Sequence, residues 1–153
     1  MAAAVMALVG AGVLAADIVE VLQGDGRISE LRAHGRQVPG DASIEWACSA
    51  GRGSSCSPSK VWLSFHDATG LPQFTAEPSL AQTLYVPSGA ADDDGYVHTT
   101  VVYDPAHPEE ALPAGVLHWG AWDLIERRWF AFTVGLVLAV AGAAALVSDR
   151  IRR

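Results

Sequence analysis

Basic residues and cysteine are scarce in this sequence, and both shortages exclude classes of function. The 153 residues include ten Lys or Arg against seventeen Asp or Glu, which gives a net charge of −7. The acidic excess lies in residues 23–128, which hold fourteen acidic and seven basic side chains. Because such a surface repels phosphate groups, binding to nucleic acid or to anionic lipid headgroups is not expected.

Cysteine occurs twice, as Cys48 and Cys56. A zinc site would need a second pair of Cys or His ligands, and a redox pair would need the Cys-x-x-Cys pattern. Both patterns are absent from the sequence. The cysteines bracket a small and flexible stretch, SAGRGSS. This spacing favours a disulfide that closes a short loop in an oxidising compartment, with two free thiols as the alternative.

Sequence motifs of common enzymes are also absent. The chain has no Gly-x-Ser-x-Gly, no phosphate-binding glycine loop and no His-Glu-x-x-His. An enzyme or a ligand- or metal-binding module would have to use His66, His98 and Asp104, but no spaced ligand pair supports such a site. The acidic run Asp92–Asp94 lacks the alternating ligands and distal Glu of a calcium loop and is typical of a solvated turn. We therefore expect no catalytic residues, no metal and no cofactor.

Long apolar runs are missing from the middle of the chain and are found at its two ends. Residues 129–147 form a run of 19 residues without a charge, close to the roughly 20 needed to cross a bilayer. Trp129 and Phe130 at its start suit an interfacial aromatic anchor, and two arginines precede it. This run predicts a transmembrane helix.

The first apolar run covers 16 residues before Asp17 and is shorter. A cleaved signal peptide is the alternative to a span, but no Lys or Arg precedes the run as a signal peptide requires. We therefore expect a retained first span. Arg150, Arg152 and Arg153 then place the C-terminal tail in the cytoplasm by the positive-inside rule, with the middle of the chain outside.

Short alternating segments between the spans predict strands. Val61, Leu63 and Phe65 alternate with polar residues, and similar segments are DASIEWAC, QFTA and YVHTTVVYD, with TLYVP as a weaker candidate. They predict a small antiparallel sheet or partly closed β-barrel, in an α+β membrane protein with two flanking transmembrane helices. Its expected core includes Ile44, Trp46, Val61, Leu63, Phe65, Phe74, Leu84, Val97 and Val101.

The predicted organisation has six parts. They are a first transmembrane helix (1–22), a juxtamembrane helix (23–37), an extracytoplasmic β domain (38–108), an interfacial linker or helix (109–128), a second transmembrane helix (129–148) and a basic cytoplasmic tail (149–153). Within the linker, the spacing of Leu117, Trp119, Trp122 and Ile125 favours an amphipathic helix with both tryptophans at headgroup level.

The stretch TTVVYDPAHPEEA carries the most distinctive residues. Asp104 precedes Pro105, so it is held extended and can cap the following turn with its side chain. Tyr103 is expected to pack its ring on the sheet and leave its hydroxyl at the rim. These residues are explained as a strand end and a turn, without catalysis.

Val102-Tyr103-Asp104-Pro105, followed by His107-Pro108, also carries a resemblance. Together with the order of span, alternating strands, VWLSFHDATG, LYVP and a closing Gly-rich span, it resembles a widespread bacterial family of small two-span membrane proteins of unknown function. Its members carry Tyr-Asp-Pro after the last strand of a small extracytoplasmic β domain. The resemblance runs from about Ile28 to Val147. Asp41-Ala42 and the Cys48–Cys56 loop depart from it.

The resemblance implies an architecture and no activity, cofactor or catalytic residue. We therefore expect a non-enzymatic protein of the lipid bilayer that acts through its extracytoplasmic domain in interaction, envelope assembly or signalling, with a protein partner not identified by the sequence. An accessory subunit of a larger membrane complex is the alternative, because Gly135 and Gly142 would permit close helix contact.

Overall fold

The computed structural model describes residues 2–50 and 55–151, and the side chains of residues 149 and 150 are outside the description. A long helix opens the chain, five strands follow, and two helices close it. In chain order the elements are α1 (Ala2–His34), β1 (Arg36–Cys48), β2 (Cys56–His66), β3 (Pro72–Ala76), β4 (Val97–Asp104), β5 (His107–Pro113), a 3₁₀ helix (Ala114–His118), α2 (Ala121–Arg127) and α3 (Trp129–Ile151).

The strands form one antiparallel sheet in the order β3-β2-β1-β4-β5. The sheet curls enough for the Thr75 hydroxyl on β3 to donate a hydrogen bond of 2.5 Å to the carbonyl of Glu109 on β5. Between the two edge strands, as far as the structure describes them, no backbone ladder forms. The predicted antiparallel sheet is confirmed, but the barrel is not closed.

The inner face of the sheet holds the first of two cores. Val61, Leu63 and Phe65 alternate inward as predicted and pack with Tyr103 of β4. The prediction of Trp46 as a core residue is wrong, because a register shift after Glu45 leaves Trp46 exposed.

Phe74 was also predicted in the core, and its side chain is 66% exposed. Its ring lies on the face of the sheet opposite the core, stacked on Trp62 with 5.1 Å between ring centroids.

Tyr103 and Asp104 shape the end of β4 largely as predicted. The ring of Tyr103 is buried, and its hydroxyl accepts a 2.6 Å hydrogen bond from the Ala68 N–H. The Asp104 carboxylate accepts the Ala106 N–H at 2.9 Å, which closes the turn. The chain then returns as β5, although no strand was predicted after residue 104.

The second core lies between the sheet and the last turns of α1. Ile28 and Leu31 of α1 are buried with Val102 of β4 and Leu112 of β5. The segment 23–37, predicted as a juxtamembrane helix that extends the first span or packs beside it, is the direct continuation of α1 up to His34, followed by the start of β1. The first part of α1 is therefore the apolar N-terminal segment, and its last turns pack in the sheet domain.

Residues after β5 cover this second core. The predicted amphipathic helix over Leu117–Ile125 is replaced by the 3₁₀ helix and α2, with a break before Ala121. Trp119 is buried under the guanidinium of Arg127, whose Cζ lies 3.9 Å from the ring centroid, so its ring packs inside the protein and not on the apolar face of an amphipathic helix. Trp122 is exposed. TLYVP forms no strand beyond a single bridge between Leu80 and Thr83.

α1 and α3 pack along each other through glycines. A Cβ atom at Gly10 would lie 2.3 Å from the Ala139 nitrogen, and one at Gly142 would lie 2.4 Å from the Ala7 nitrogen. Both helices are long and apolar enough to cross a membrane, with mean hydropathy of 2.2 and 2.4 over 18 residues. Gly135 and Gly142 contact α1 of the same chain. These two glycines therefore do not support the alternative in which α3 packs against a helix of another protein in a larger complex.

Candidate coupling site between the helices and the sheet

Charged side chains meet where the two long helices reach the sheet domain. Asp17 and Glu20 lie three residues apart on α1 and so share a helix face. Arg128, just before α3, places its Nη2 atom 2.7 Å from Asp17 Oδ1 and bonds Glu20 Oε2 through Nη1. We call Asp17, Glu20 and Arg128 the neck.

The neck is largely shielded from solvent. The side chains of Arg128 and Asp17 are 11% and 5% exposed. Charge-assisted hydrogen bonds of this kind are stronger than neutral ones, and a buried charge left without its partner destabilises a fold by about 3–5 kcal/mol. The neck therefore fixes the start of α3 beside Asp17 and Glu20 of α1.

A loop from the sheet joins the neck. In residues 77–85, which we call the docking loop, Leu80 and Thr83 exchange two backbone hydrogen bonds of 2.9 Å. Ala81 and Gln82 between them have φ values of 48° and 59°. This is the type I′ turn, which glycine or asparagine normally occupies, and each other residue there costs about 1–2 kcal/mol.

Contacts with α1 offset the cost of this turn. Leu80 and Ala81 are buried in the second core. Gln82 Nε2 donates a 2.9 Å hydrogen bond to Glu20 Oε1, so the loop reaches Arg128 through one shared carboxylate. Gly24 of α1 lies below the turn, and a Cβ atom there would be 3.0 Å from Leu124 Cδ1 and 3.7 Å from the Ala81 nitrogen.

Glu77 and Tyr85 form the base of the docking loop. The Glu77 N–H donates to the Val61 carbonyl at 2.8 Å, and Glu77 Oε1 accepts the Tyr85 N–H at 2.9 Å. Burial raises the pKa of the Glu77 carboxyl to about 8, and the Tyr85 hydrogen bond only partly opposes it. The Tyr85 ring packs on Trp119 and fills the space where a Cβ of Gly115 would otherwise lie.

Two arginines attach the last turns of α1 to the sheet side. Arg27 Nη2 pairs with Glu110 Oε2 of β5 at 2.6 Å. Arg32 Nη2 donates to the carbonyls of Leu117 and Trp119 at 2.7 and 3.1 Å. Together with the neck, these contacts fix α1 to the rest of the chain at three successive positions along the helix.

The residues considered for catalysis or ligand binding are not brought together. His98 Nδ1 lies 2.5 Å from Asp41 Oδ1, and this hydrogen bond raises the pKa of His98. Asp104 lies six residues further along β4, roughly 20 Å away for an extended strand. His66 is on β2, which β1 separates from β4. In residues 2–50 and 55–151, no group of three or more His, Cys, Asp or Glu side chains is placed to hold a metal.

The predicted disulfide is present, joining Cys48 and Cys56 directly across the β1–β2 hairpin. Residues 51–54 of the intervening loop lie outside the described part of the chain. The Asp92 carboxylate accepts the N–H groups of Asp94 and Tyr96, as in a solvated turn.

Neither the neck nor the docking loop was predicted from the sequence. Asp17 and Glu20 were visible as charges that end an apolar run, and Arg128 as a charge before the second span, but nothing in the sequence indicated that they pair. Compared with known proteins, the chain matches no family model, no curated protein and no solved structure.

Proposed function

We propose that this chain crosses the cytoplasmic membrane twice, with its sheet domain outside and its C-terminus in the cytoplasm. The length and hydropathy of α1 and α3 support this, as do the exposed apolar side chains along both helices, such as Leu8 and Leu136. The disulfide fits an oxidising compartment, and the arginines of the tail fit the cytoplasmic side. Membership of the two-span family indicated by Tyr103-Asp104-Pro105 is part of this proposal.

The function that the geometry supports best is non-enzymatic interaction or signalling, in which the domain outside is mechanically joined to the spans. One observation carries it: Arg128 joins α3 to α1, and Glu20 extends the same set of hydrogen bonds to Gln82 of the docking loop. A partner that displaces the sheet or its loop therefore acts on the relative position of the two spans.

The surface that suits a protein partner is an aromatic patch on the outer face of the sheet. Trp62 stacks on Phe74 with their planes 5° apart, and Lys60 Nζ lies 4.3 Å from the Trp62 ring centroid. The Trp62 Nε1–H donates to Glu45 Oε1 at 2.7 Å. Phe74 is exposed and Trp62 is half-buried, and both rings lie on the face of the sheet opposite the core. Aromatic rings with a fixed orientation and a charged rim at a surface are typical of interaction sites.

Site-specific photocrosslinking in living cells tests this proposal. A photoreactive amino acid at Phe74 should give a discrete adduct, and Trp62→Ala should reduce it because the ring stack is lost. The control is the same amino acid at Thr100, an exposed position on β4 outside the patch. Equal adducts from both positions, or no adduct from Phe74, would contradict a partner at this surface.

A further inference from the structure

The side chain of Glu77 is buried without a charge partner. The residue is 4% exposed, and its Oε2 atom makes no hydrogen bond to the described residues. A buried carboxylate without a partner is costly, whereas the neutral acid is tolerated. The charge state of Glu77 therefore matters for whatever its side chain holds in place.

Glu77 holds the base of the docking loop in place. Its Oε1 atom accepts the Tyr85 N–H, which joins the two ends of the loop across eight residues. The turn between them carries two residues at positive φ, and Leu80 and Ala81 of this turn are buried in the second core beside α1. Loss of the Glu77 contact therefore removes a constraint from a segment with stored backbone strain.

The charged groups around Glu77 do not compensate its ionised form. Lys60 of β2 lines the same groove, but its Nζ atom lies over the Trp62 ring. The loop contributes Ser79, Gln82 and Thr83 to the groove, all neutral. Glu20 of α1 reaches this region only through Gln82 and adds negative charge.

We infer that Glu77 is a pH-dependent switch, which keeps the docking loop on α1 while its carboxyl is protonated and loosens the loop when the proton is released to solvent. The consequence for signalling rests on the coupling proposed above, but the switch itself is a contact within the chain. The experiment therefore measures this contact and not the binding of a partner.

The direction of the effect follows from proton linkage. Because the pKa of Glu77 is raised in the folded chain from 4.5 to about 8, the docked loop binds more protons than the open loop between these values. The contribution of Glu77 to docking is therefore fully present below pH 4.5, decreases as the pH rises toward 8 and changes little above it.

Hydrogen exchange of the full chain in lipid nanodiscs tests the switch. Protection factors of the Leu80 and Thr83 amides, corrected for intrinsic exchange at each pH, should fall by about tenfold or more between pH 5.5 and 7.5. In Glu77→Gln, whose amide keeps an acceptor for the Tyr85 N–H and does not ionise, they should stay constant. Parallel curves for the wild type and E77Q would overturn the inference.

An internal control and a second measurement keep the test decisive. The Thr69 and Leu71 amides bond the carboxylate of Asp67, whose pKa is about 2, so their protection should not change over this range. If E77Q does not fold, the Glu77 carboxyl carbon of the wild type is titrated by NMR. A midpoint near 8 supports the switch, and a midpoint near 4.5 rejects it.

Discussion

Arg128 Nη2 lies 2.7 Å from Asp17 Oδ1, and this pair joins the two long helices at the point where both reach the sheet domain. Local sequence does not require the contact, since α1 and α3 are good apolar helices without it. The pair determines how the helices are placed relative to the domain.

Arg128→Met should destabilise the protein by about 3–5 kcal/mol, because it leaves Asp17 buried without a compensating charge. Chemical unfolding in detergent micelles measures the change. Arg127→Met is the matched control: Arg127 is exposed and only stacks on Trp119, so it should cost about 1 kcal/mol or less. Asp17→Asn in the Arg128→Met background should recover much of the loss, and additive effects would argue against a coupled pair.

Gly24→Leu should lower stability by about 1–3 kcal/mol, because the new side chain meets Leu124 and the docking loop. At Gly26, two residues further along α1, an added Cβ meets nothing within 4 Å. Gly26→Leu should therefore stabilise the helix by up to about 1 kcal/mol through its better helix propensity. Thermal unfolding of both variants is the measurement, and equal shifts would mean that the loop does not dock at Gly24.

The packing of α1 against α3 gives a second glycine pair. Gly10→Leu should separate the helices, because backbone atoms of α3 already lie where its Cβ would be. Gly12→Leu points into open space and should be tolerated. Spin labels near the start of α1 and the end of α3 should report a longer distance for Gly10→Leu alone. An unchanged distance would mean that α3 does not pack against α1 at Gly10.

Tyr103→Phe should cost about 1–3 kcal/mol. The substitution keeps the ring in the inner core but removes the oxygen that accepts the Ala68 N–H, which is then left without its partner. Unfolding by denaturant measures the loss. Tyr96→Phe is a control, since Tyr96 is exposed, and should change stability by less than about 0.5 kcal/mol.

The orientation of the chain is tested through Cys48 and Cys56. A membrane-impermeant maleimide should label intact cells only after treatment with an impermeant reductant, because the two thiols are joined in a disulfide, which the proposed topology places outside the membrane. Labelling without reductant would contradict the disulfide in cells, and labelling only after lysis would contradict the orientation.

The sequence predicted the parts of this fold that depend on local patterns. Alternation predicted β1 and β2, the uncharged run predicted α3, and two lone cysteines that bracket a short run of small residues predicted the disulfide. β5 was missed because Pro105 and Pro108 read as the end of a strand. At the edge of a sheet, proline costs no ladder hydrogen bond, so Pro108 is tolerated within β5.

The candidate site could not be predicted because its members are distant in the chain. Glu20 and Arg128 are 108 residues apart, and no spacing rule connects them. The burial of Trp119 could not be predicted for the same reason. Its spacing predicts an amphipathic helix at the membrane surface, but in the folded chain it is buried against α1 and Tyr85. Tertiary packing determines where the sheet lies, and the position of the sheet determines which apolar surface a residue such as Trp119 covers.

The neck joins α1 and α3 to the docking loop through Arg128, Glu20 and Gln82. The decisive measurement is hydrogen exchange of the Leu80 and Thr83 amides at pH 5.5, compared between Arg128→Met and Arg127→Met. Protection of these amides should fall in Arg128→Met and stay at the wild-type level in Arg127→Met. Unchanged protection in a folded Arg128→Met protein would mean that the neck does not hold the docking loop.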